Sequence, residues 1–444
     1  MAALERYFMR RGCVVAGYDR TPSELTDALT DEGAAISFLD SVDAIPATHR
    51  DAADTLVVYT PAVPLDHPVM RFFTEGGFDV RKRAAVLGMI TRSSRGLCFA
   101  GTHGKTTTSS MAAHILNNSS TGCNAFLGGV LRNTGSNFIS SDTSPFTVIE
   151  ADEYDRSFHH LSPYIAVVTA TDPDHLDIYG TEEAYLEGFA RFTELIRPGG
   201  ALVVHTGLKL KPRPVPGVKV YTYSRDEGDF HAANIRRGNG ELTFDIVTPT
   251  GTVADVTPGV PVDINIENTV AAIAAVYLAG ALEPDSARCA IASFLGPHRR
   301  FEFHLKEPMP GGHVIIDDYA HHPDELRASI SSVKALYPDA RLTVAFQPHL
   351  YTRTRDFAPQ FAQALSLADS AVILDIYPAR ELPIAGVDSG LIYDAVTLDD
   401  KQLATLGELP ALLAKQDFEV LLVAGAGDIN LQIPAIKAAI DAKP

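Results

Sequence analysis

Cysteine is scarce in this chain, and so are basic residues, long apolar runs and any leader-like start. Cys13, Cys98, Cys123 and Cys289 are the four cysteines, and they are scattered. Neither a disulfide framework nor a C-x-x-C metal pair can be built from them. Lys and Arg number 37 against 55 Asp and Glu, for a net charge of -18. This excludes a protein that binds nucleic acid by neutralising its phosphates, and any anionic ligand must be held by local clusters of basic residues. The longest apolar run, Val270 to Leu282, falls short of the roughly 18–20 residues that a membrane-spanning helix needs. Met1 to Arg11 contain no continuous apolar core or cleavage site of a signal peptide. A cytoplasmic protein with no membrane role is the expectation. What is present, 46% apolar and 21% charged residues over 444 positions, describes a globular chain too long for one ordinary core, with two or three domains.

The most informative stretch is Gly101-Thr102-His103-Gly104-Lys105-Thr106-Thr107. It follows the apolar segment Leu97 to Ala100 and opens a helix-like segment, Ser109 to Leu116. Strand, glycine loop, Lys-Thr and helix form the arrangement that wraps a nucleotide triphosphate. Glycines let backbone N–H groups turn onto phosphate oxygens, and the helix N-terminus adds partial positive charge. Lys105 would reach the β- and γ-phosphates, and Thr106 would offer its hydroxyl to Mg²⁺. The first glycine of the usual G-x-x-x-x-G-K-[ST] spacing would fall on Phe99, so the loop is a variant. A plain glycine-rich turn is the other reading.

Three sections follow one another. Residues 1–95 alternate short β-like runs (Cys13 to Tyr18, Thr55 to Tyr59) with helical patches. Residues 96–296 begin with the glycine loop, include strands at 146–149 and 164–168, become richer in short strands after Pro198-Gly199-Gly200, and end in a helix from about Glu267 to Leu282. Pro297-His298-Arg299-Arg300 reads as a hinge. Residues 297–444 repeat strand then helix, with strands at 314–316, 342–346, 371–374 and 420–423 and a helix from Pro323. This alternation predicts an α/β protein with mostly parallel sheets and ligands at the carboxyl ends of the strands.

The polar motifs fall at those ends. Glu150-Ala151-Asp152-Glu153-Tyr154-Asp155 follows one strand and Asp172-Pro173-Asp174-His175-Leu176-Asp177 the next. Both lie in the section with the phosphate loop, where Mg²⁺ ligands belong, and Glu150, His175 and Thr106 are the candidates. Capping of the following helices is the alternative. In the third section, strands end in Asp317-Asp318-Tyr319-Ala320-His321-His322-Pro323 and in Gln347-Pro348-His349-Leu350-Tyr351-Thr352-Arg353. Adjacent histidines rarely share one zinc ion, and no further ligand has zinc-site spacing. A polar pocket for an amine and a carboxylate explains Asp, His and Arg together, with Arg353 as a carboxylate clamp. Asn265 and Asn268 open the apolar helix, where they could read a purine edge or simply cap it. Arg299 and Arg300 could reach a transferring phosphate.

The glycine loop, Glu-Ala-Asp-Glu-Tyr-Asp, Asp-Pro-Asp-His-Leu-Asp, Arg-Arg-Phe-Glu at 299–302, Asp-Asp-Tyr-Ala-His-His-Pro, Phe-Gln-Pro-His-Leu-Tyr-Thr-Arg and Gly-Ala-Gly-Asp-Ile from Gly425 occur in one order. Together they resemble the Mur ligase family, and within it the alanine-adding branch, from residue 1 to about 435. The resemblance implies three domains: a truncated Rossmann-like domain for the UDP-substrate (1–95), a P-loop ATPase-like domain with a mixed sheet (96–296), and a Rossmann-like amino-acid domain (297–444) that closes over the site. It implies an ATP- and Mg²⁺-dependent ligase that joins L-alanine to the lactyl carboxylate of UDP-N-acetylmuramate through an acyl phosphate, in peptidoglycan precursor synthesis, as a monomer or weak homodimer.

By the same resemblance Thr106, Glu150 and His175 hold magnesium, and Gly101, Thr102, Gly104, Lys105, Thr106 and Thr107 surround the phosphates. His103 lies near the acyl phosphate, Arg300 near the transferring group and Asn268 at the adenine. Tyr319, His321, His349 and Arg353 surround the incoming alanine, and Asp19, Thr60 and Ala62 remain for the UDP side. The family's first strand and its Gly-x-Gly-Gly-x-Gly loop have no counterpart before Met1-Ala-Ala-Leu-Glu-Arg, so a first sheet without its central strand and poor UDP-substrate binding are expected. Ile264, Ala170 and Leu350 depart from the His, Asn and Arg common at those points. The recycling ligase that attaches a whole tripeptide is the rival within the family, and it carries an insertion after Glu-Tyr-Asp that this chain lacks. A non-catalytic nucleotide-binding relative is the rival of another class.

Overall fold

The computed structural model describes residues 1–441 apart from 61, 62, 65, 239 and 380. It is an α/β protein whose two large sheets are mostly parallel. By packing, the chain divides into two compact units. One is made of Met1–Ala233, Ile246–Ala254 and Glu267–Ile291, the other of Asn234–Asp245, Asp255–Ile266 and Ala292–Pro444.

In the first unit, residues 1–95 carry the helix Ala2–Arg10 and two separate parallel pairs, β1 (Ala16–Tyr18) with β2 (Ala35–Ser37), and β3 (Leu56–Tyr59) with β4 (Asp79–Lys82). Leu4 and Tyr7 of the first helix join a core that includes Phe126 and Phe138, and the helix Arg83–Ser93 adds Val86, Leu87 and Ile90. The main sheet takes β5 (Arg95–Ala100), β6 (Asn124–Leu131), β7 (Ser136–Ile139), β8 (Phe146–Glu150), β9 (Ile165–Val168), β10 (Ala201–His205) and β11 (Lys219–Tyr223) in the order β11-β10-β9-β5-β8-β6-β7. Only β6 and β7 run antiparallel. Leu97, Cys98, Phe99 and Ala100 are fully buried, the continuous apolar run that a strand covered on both faces requires. Phe99 is paired with Glu150 inside the sheet, so the loop begins only after Ala100, and this accounts for its shortened spacing.

The connections leave β5 in opposite directions. The chain after β5 goes toward β6, whereas β9 returns on the other side. The carboxyl end of β5 is therefore the point where strand order reverses, the place where such sheets open a crevice. Three further strands, β12 (His231–Gly238), β13 (Glu241–Thr248) and β14 (Gly251–Val256), form a small sheet of their own.

The second unit holds β15 (Glu302–Lys306), β16 (Val314–Asp318), β17 (Leu342–Phe346), β18 (Ser370–Leu374), β19 (Lys401–Ala404) and β20 (Val420–Ala424), ordered β15-β16-β20-β17-β18-β19. Here β15 is the antiparallel edge, and the rest are parallel. Alternation along β16 sends Val314 and Ile316 into one core and Ile315 into another, so both faces are covered. Helices Pro323–Leu336 and Tyr351–Leu365 follow β16 and β17. The first opens on a capping box between His322 and Glu325, which explains the acids of its first turn.

Gly88 lies within the helix Arg83–Ser93, where a side chain would run into the backbone carbonyl of His160. Helix propensity alone favours Gly88→Ala by about 1 kcal/mol, whereas overpacking against backbone costs about 1–3 kcal/mol. Gly88→Ala is expected to lower the thermal unfolding midpoint, and a raised midpoint would show that the helix does not press on His160.

Candidate active site

The glycine loop is clasped to the end of β9. Gly101 has φ +142°, and a Cβ there would meet the backbone nitrogens of Thr169 and Ala170 at 3.0 and 2.7 Å. Glycine is required by both the conformation and the approach. The amide of Thr102 donates to the carbonyl of Ala170 at 3.1 Å, and the Thr169 hydroxyl donates to the carbonyl of His103. The Thr102 hydroxyl donates to the carbonyl of Asp172 at 2.7 Å and lies 2.9 Å from the Tyr185 hydroxyl. Gly104, at φ +81°, caps the helix Lys105–Asn117, leaving that helix's first N–H groups at the loop. His103 is exposed at the loop.

Below the loop, Lys105 Nζ donates to the carbonyl of Gly101 at 2.6 Å and to Glu153 Oε1 at 2.8 Å. The Thr106 hydroxyl donates to Glu150 Oε1 at 3.1 Å, and the Gly128 amide donates to Glu150 Oε2 at the same distance. Burial holds both Glu150 and Glu153 above the usual carboxylate range, with Lys105 pulling the other way in each case. Glu153 is 1% exposed, and its Oε2 has no hydrogen-bond partner. His175 has φ +52°, sits edge-on to Tyr154 at 5.2 Å, and brings Nε2 to 4.0 Å from Glu153 Oε1. A hydroxyl, an imidazole and two carboxylates short of positive charge make a donor set that fits a hard divalent cation.

Asn268 lies on the helix Ile264–Leu278, and its Oδ1 accepts a hydrogen bond from the Thr108 hydroxyl at 3.0 Å. Next to it, Glu267 pairs with His205, Oε1 to Nε2, at 3.4 Å. Lys82, at the end of β4, reaches Asp155 at 3.1 Å, so the acidic motif after β8 is tied to the first section as well as to the loop. Asp19 follows β1, and its Oδ1 accepts from the Thr21 amide at 3.1 Å. Thr60 follows β3 and accepts from the Val63 amide at 3.1 Å. Ala62 lies outside the described residues.

The second unit gathers the other candidates at the ends of β16 and β17. The guanidinium groups of Arg299 and Arg300 stand 5.0 and 5.5 Å from the Tyr319 ring centre, a cation–π distance. His321 Nδ1 lies 3.0 Å from the carbonyl of Tyr319 and 3.3 Å from Glu325 Oε2. The His349 ring is 6.0 Å from that of His321 and stacks on Tyr377 at 5.7 Å. Arg353 approaches His349 Nδ1 to 3.5 Å. Burial lowers the pKa of both imidazoles, helped at His349 by His321 and Arg353, so both are neutral at pH 7. Neutral imidazoles accept from an ammonium group, and the Arg353 fork suits a carboxylate.

The Mur ligase family domains match in order. Its catalytic domain covers residues 1–95, its middle domain 99–276 and its glutamate ligase domain 299–427. The chain belongs to the Mur ligase family. It is 56% identical over 444 residues to the UDP-N-acetylmuramate–L-alanine ligase of Phocaeicola vulgatus, covering 100% of this chain and 96% of that one. The enzyme of the same name from Porphyromonas gingivalis is 48% identical over 440 residues, covering 98% of this chain and 96% of that one. Among solved structures, the UDP-N-acetylmuramate–alanine ligase of Thermotoga maritima matches with a TM-score of 0.78 at 25% identity, covering 99% of this chain and 96% of that one. A murein peptide ligase from Psychrobacter arcticus shares the fold, with a TM-score of 0.61 at 20% identity over 100% of this chain and 97% of that one.

Thus Lys105, Thr106, Glu150 and His175 come together in one unit, and Arg300, Tyr319, His321, His349 and Arg353 in the other. Glu153, the fourth residue of its motif, is the member that reading the sequence passed over. The motif displayed it, but only the fold shows that it, rather than Glu150, carries the lysine. Tyr377 and Glu325 also escaped, because their closeness to the histidines comes from separate strands and a helix cap.

The His205–Glu267 pair gives a pH signature. The hydrogen bond with Glu267 raises the His205 pKa above 6.5, and the same bond lowers Glu267 below 4.5. The His205 contribution is present below pH 6.5 and is lost as pH rises through its raised value. The Glu267 contribution is present above pH 4.5 and is lost as pH falls through its lowered value. The thermal midpoint of the native protein minus that of Glu267→Gln is therefore expected to be greatest between those two values and to shrink by pH 8.5. A pH-independent difference would remove the ion pair from the account.

Proposed function

We propose that the chain is an ATP-dependent ligase that joins L-alanine to the lactyl carboxylate of UDP-N-acetylmuramate in peptidoglycan precursor synthesis. The observation that carries this reading is the presence in one chain of two clusters: a glycine loop with its lysine and buried carboxylates, and imidazoles with lowered pKa beside an arginine. Its relatives' names supply the substrates.

In the first step a lactyl carboxylate oxygen attacks the γ-phosphorus of ATP, the bond to the β–γ bridging oxygen breaks, and ADP leaves. The alanine amine, its extra proton released to solvent, then attacks the carbonyl carbon of the acyl phosphate. The tetrahedral intermediate loses a second amine proton to solvent and expels phosphate, which leaves the amide. Such transfer depends on positioning and charge neutralisation. The amides of residues 103–105 and the N-terminus of Lys105–Asn117 hold phosphate oxygens, with Gly101, Thr102 and Thr107 beside them. Glu153 holds the Lys105 ammonium aimed along the loop. His103 serves the acyl-phosphate side and Asn268 the adenine side. Thr106, Glu150 and His175 would hold Mg²⁺, which supplies positive charge against the β- and γ-phosphates.

In the second unit, His321 and His349 take the alanine amine, Arg353 takes its carboxylate, Tyr319 closes the pocket, and Arg300 neutralises the transferring phosphoryl group. Residues 1–95, with Asp19, Thr60 and Ala62, take the UDP moiety. Residues 96–296 and 297–444 are the ATP and amino-acid domains. The enzyme works in the cytoplasm, as a monomer or weak homodimer. Among the described residues no helix is long and apolar enough to cross a membrane.

Phosphate release from ATP should require both UDP-N-acetylmuramate and L-alanine. Turnover with the tripeptide and none with alanine would favour the recycling ligase, and turnover with neither would end the ligase reading. Lys105→Ala should cut kcat roughly a hundredfold or more with an unchanged circular dichroism spectrum. Arg353→Lys should raise KM for L-alanine about tenfold, because the ammonium cannot reproduce the planar fork, with KM for ATP little changed. Equal shifts in both would detach Arg353 from the amino acid.

A further inference from the structure

Three side chains in the second unit take no part in the proposed chemistry. Glu302 and His304 lie two apart on the edge strand β15, and Asp317 on β16 is the register partner of Glu302. Spacing of two sends strand side chains to one face. The ladder shifts between Phe303 and Leu305, so His304 occupies a bulge, a device that re-aims a side chain. His304 Nε2 stands 3.7 Å from Glu302 Oε1 and 3.9 Å from Asp317 Oδ2. One ligand-type atom from each of the three residues lies within 4.8 Å of the others.

Within this cluster the buried group with an unpartnered oxygen is Asp317. Glu302 Oε2 accepts from the Arg299 amide at 2.9 Å and lies 3.3 Å from His298 Nδ1, which turns Oε1 toward His304. The Asp317 side chain is 1% exposed, and its Oδ1 has no hydrogen-bond partner. Arg299 discharges it only in part. Its terminal nitrogens donate to the carbonyls of Gly427, at 2.9 Å, and Gly425. Its Nε stands 3.5 Å from Asp317 Oδ2 without a hydrogen bond. A buried Asp317 carboxylate with one oxygen unpartnered is costly unless a cation or a proton meets it.

We propose that Glu302, His304 and Asp317 bind one divalent transition-metal ion of the Zn²⁺ class, apart from the magnesium of the phosphate loop, and that this ion staples β15 to β16. The donors suit such an ion: metal–ligand bonds of about 2.0–2.1 Å put tetrahedral donors about 3.4 Å apart, a few tenths of an ångström less than the 3.7 and 3.9 Å from His304 Nε2 to the two carboxylates. One imidazole with two carboxylates matches zinc or cobalt better than magnesium, which demands near-ideal octahedral oxygen ligation and keeps its waters. The fourth position is open for water. The staple would hold the strand that begins two residues after Arg300.

The test is a zinc titration of the metal-stripped full chain against a chromophoric chelator, without nucleotide or substrate. His175→Ala protein, which lacks the imidazole of the phosphate-loop site, should still take up one Zn²⁺ per chain, and Zn²⁺ should raise its thermal midpoint. Adding His304→Leu, a change at a partly exposed position, should weaken uptake about tenfold or more and abolish the rise in midpoint. Co²⁺ should give visible ligand-field bands in His175→Ala and none once His304 is replaced. No uptake by His175→Ala, or uptake unchanged by both His304→Leu and Glu302→Gln, would overturn the proposal. Because the readout is metal alone, failure here leaves the ligase reading standing, and failure of the ligase assay leaves this one standing.

Discussion

Lys105 and Glu153 meet at 2.8 Å beneath the glycine loop, with the glutamate almost wholly buried, and the candidate site of the first unit is organised about that contact. A buried ion pair contributes little net stability, because desolvation offsets its attraction. Losing one partner is different, since an uncompensated charge then remains in the interior. The pair therefore acts as a constraint more than as glue. It fixes the ammonium group at the mouth of the loop and ties the segment after β8 to the segment after β5. Glu150 and His175 are drawn into the same cluster, one through Thr106 and the other through Glu153 itself.

The sheet makes that constraint possible. β5 lies between β9 and β8, so its carboxyl end is flanked by the two strands that deliver the acidic motifs. Loop, lysine and carboxylates converge because three parallel strands end side by side. The expense is a pair of carboxylates held above their usual range by burial. The second unit repeats the strategy with different chemistry. β16, β20 and β17 are neighbours, and their ends present the histidines and arginines, with Glu325 doing double duty as helix cap and partner to His321.

Burial separates the two kinds of histidine in this protein. His205 is held toward its charged form by a carboxylate, whereas His321 and His349 are kept neutral by burial and neighbouring cations. The same side chain is thus held toward its charged form in one unit and toward its neutral form in the other, and the difference comes from what the fold packs against it.

The α/β class, the strands β5, β8, β16, β17, β18 and β20, and the glycine loop were legible in the sequence. Continuous apolar runs and a Gly-Lys-Thr turn before a helix are local signals, which neighbouring residues along the chain determine. The residues at strand ends were legible for the same reason, because the motifs lie next to the runs. Which member of a motif does what was not. Choosing Glu153 as the partner of Lys105, pairing His205 with Glu267, and bringing Glu302 and His304 to Asp317 across a bulged ladder all depend on distances between residues far apart in sequence. The shortened loop spacing became intelligible only when Phe99 proved to be a buried strand residue. Local preference determined which elements form; tertiary packing decided which side chains lose water together, and pKa, pairing and chemistry follow from that loss.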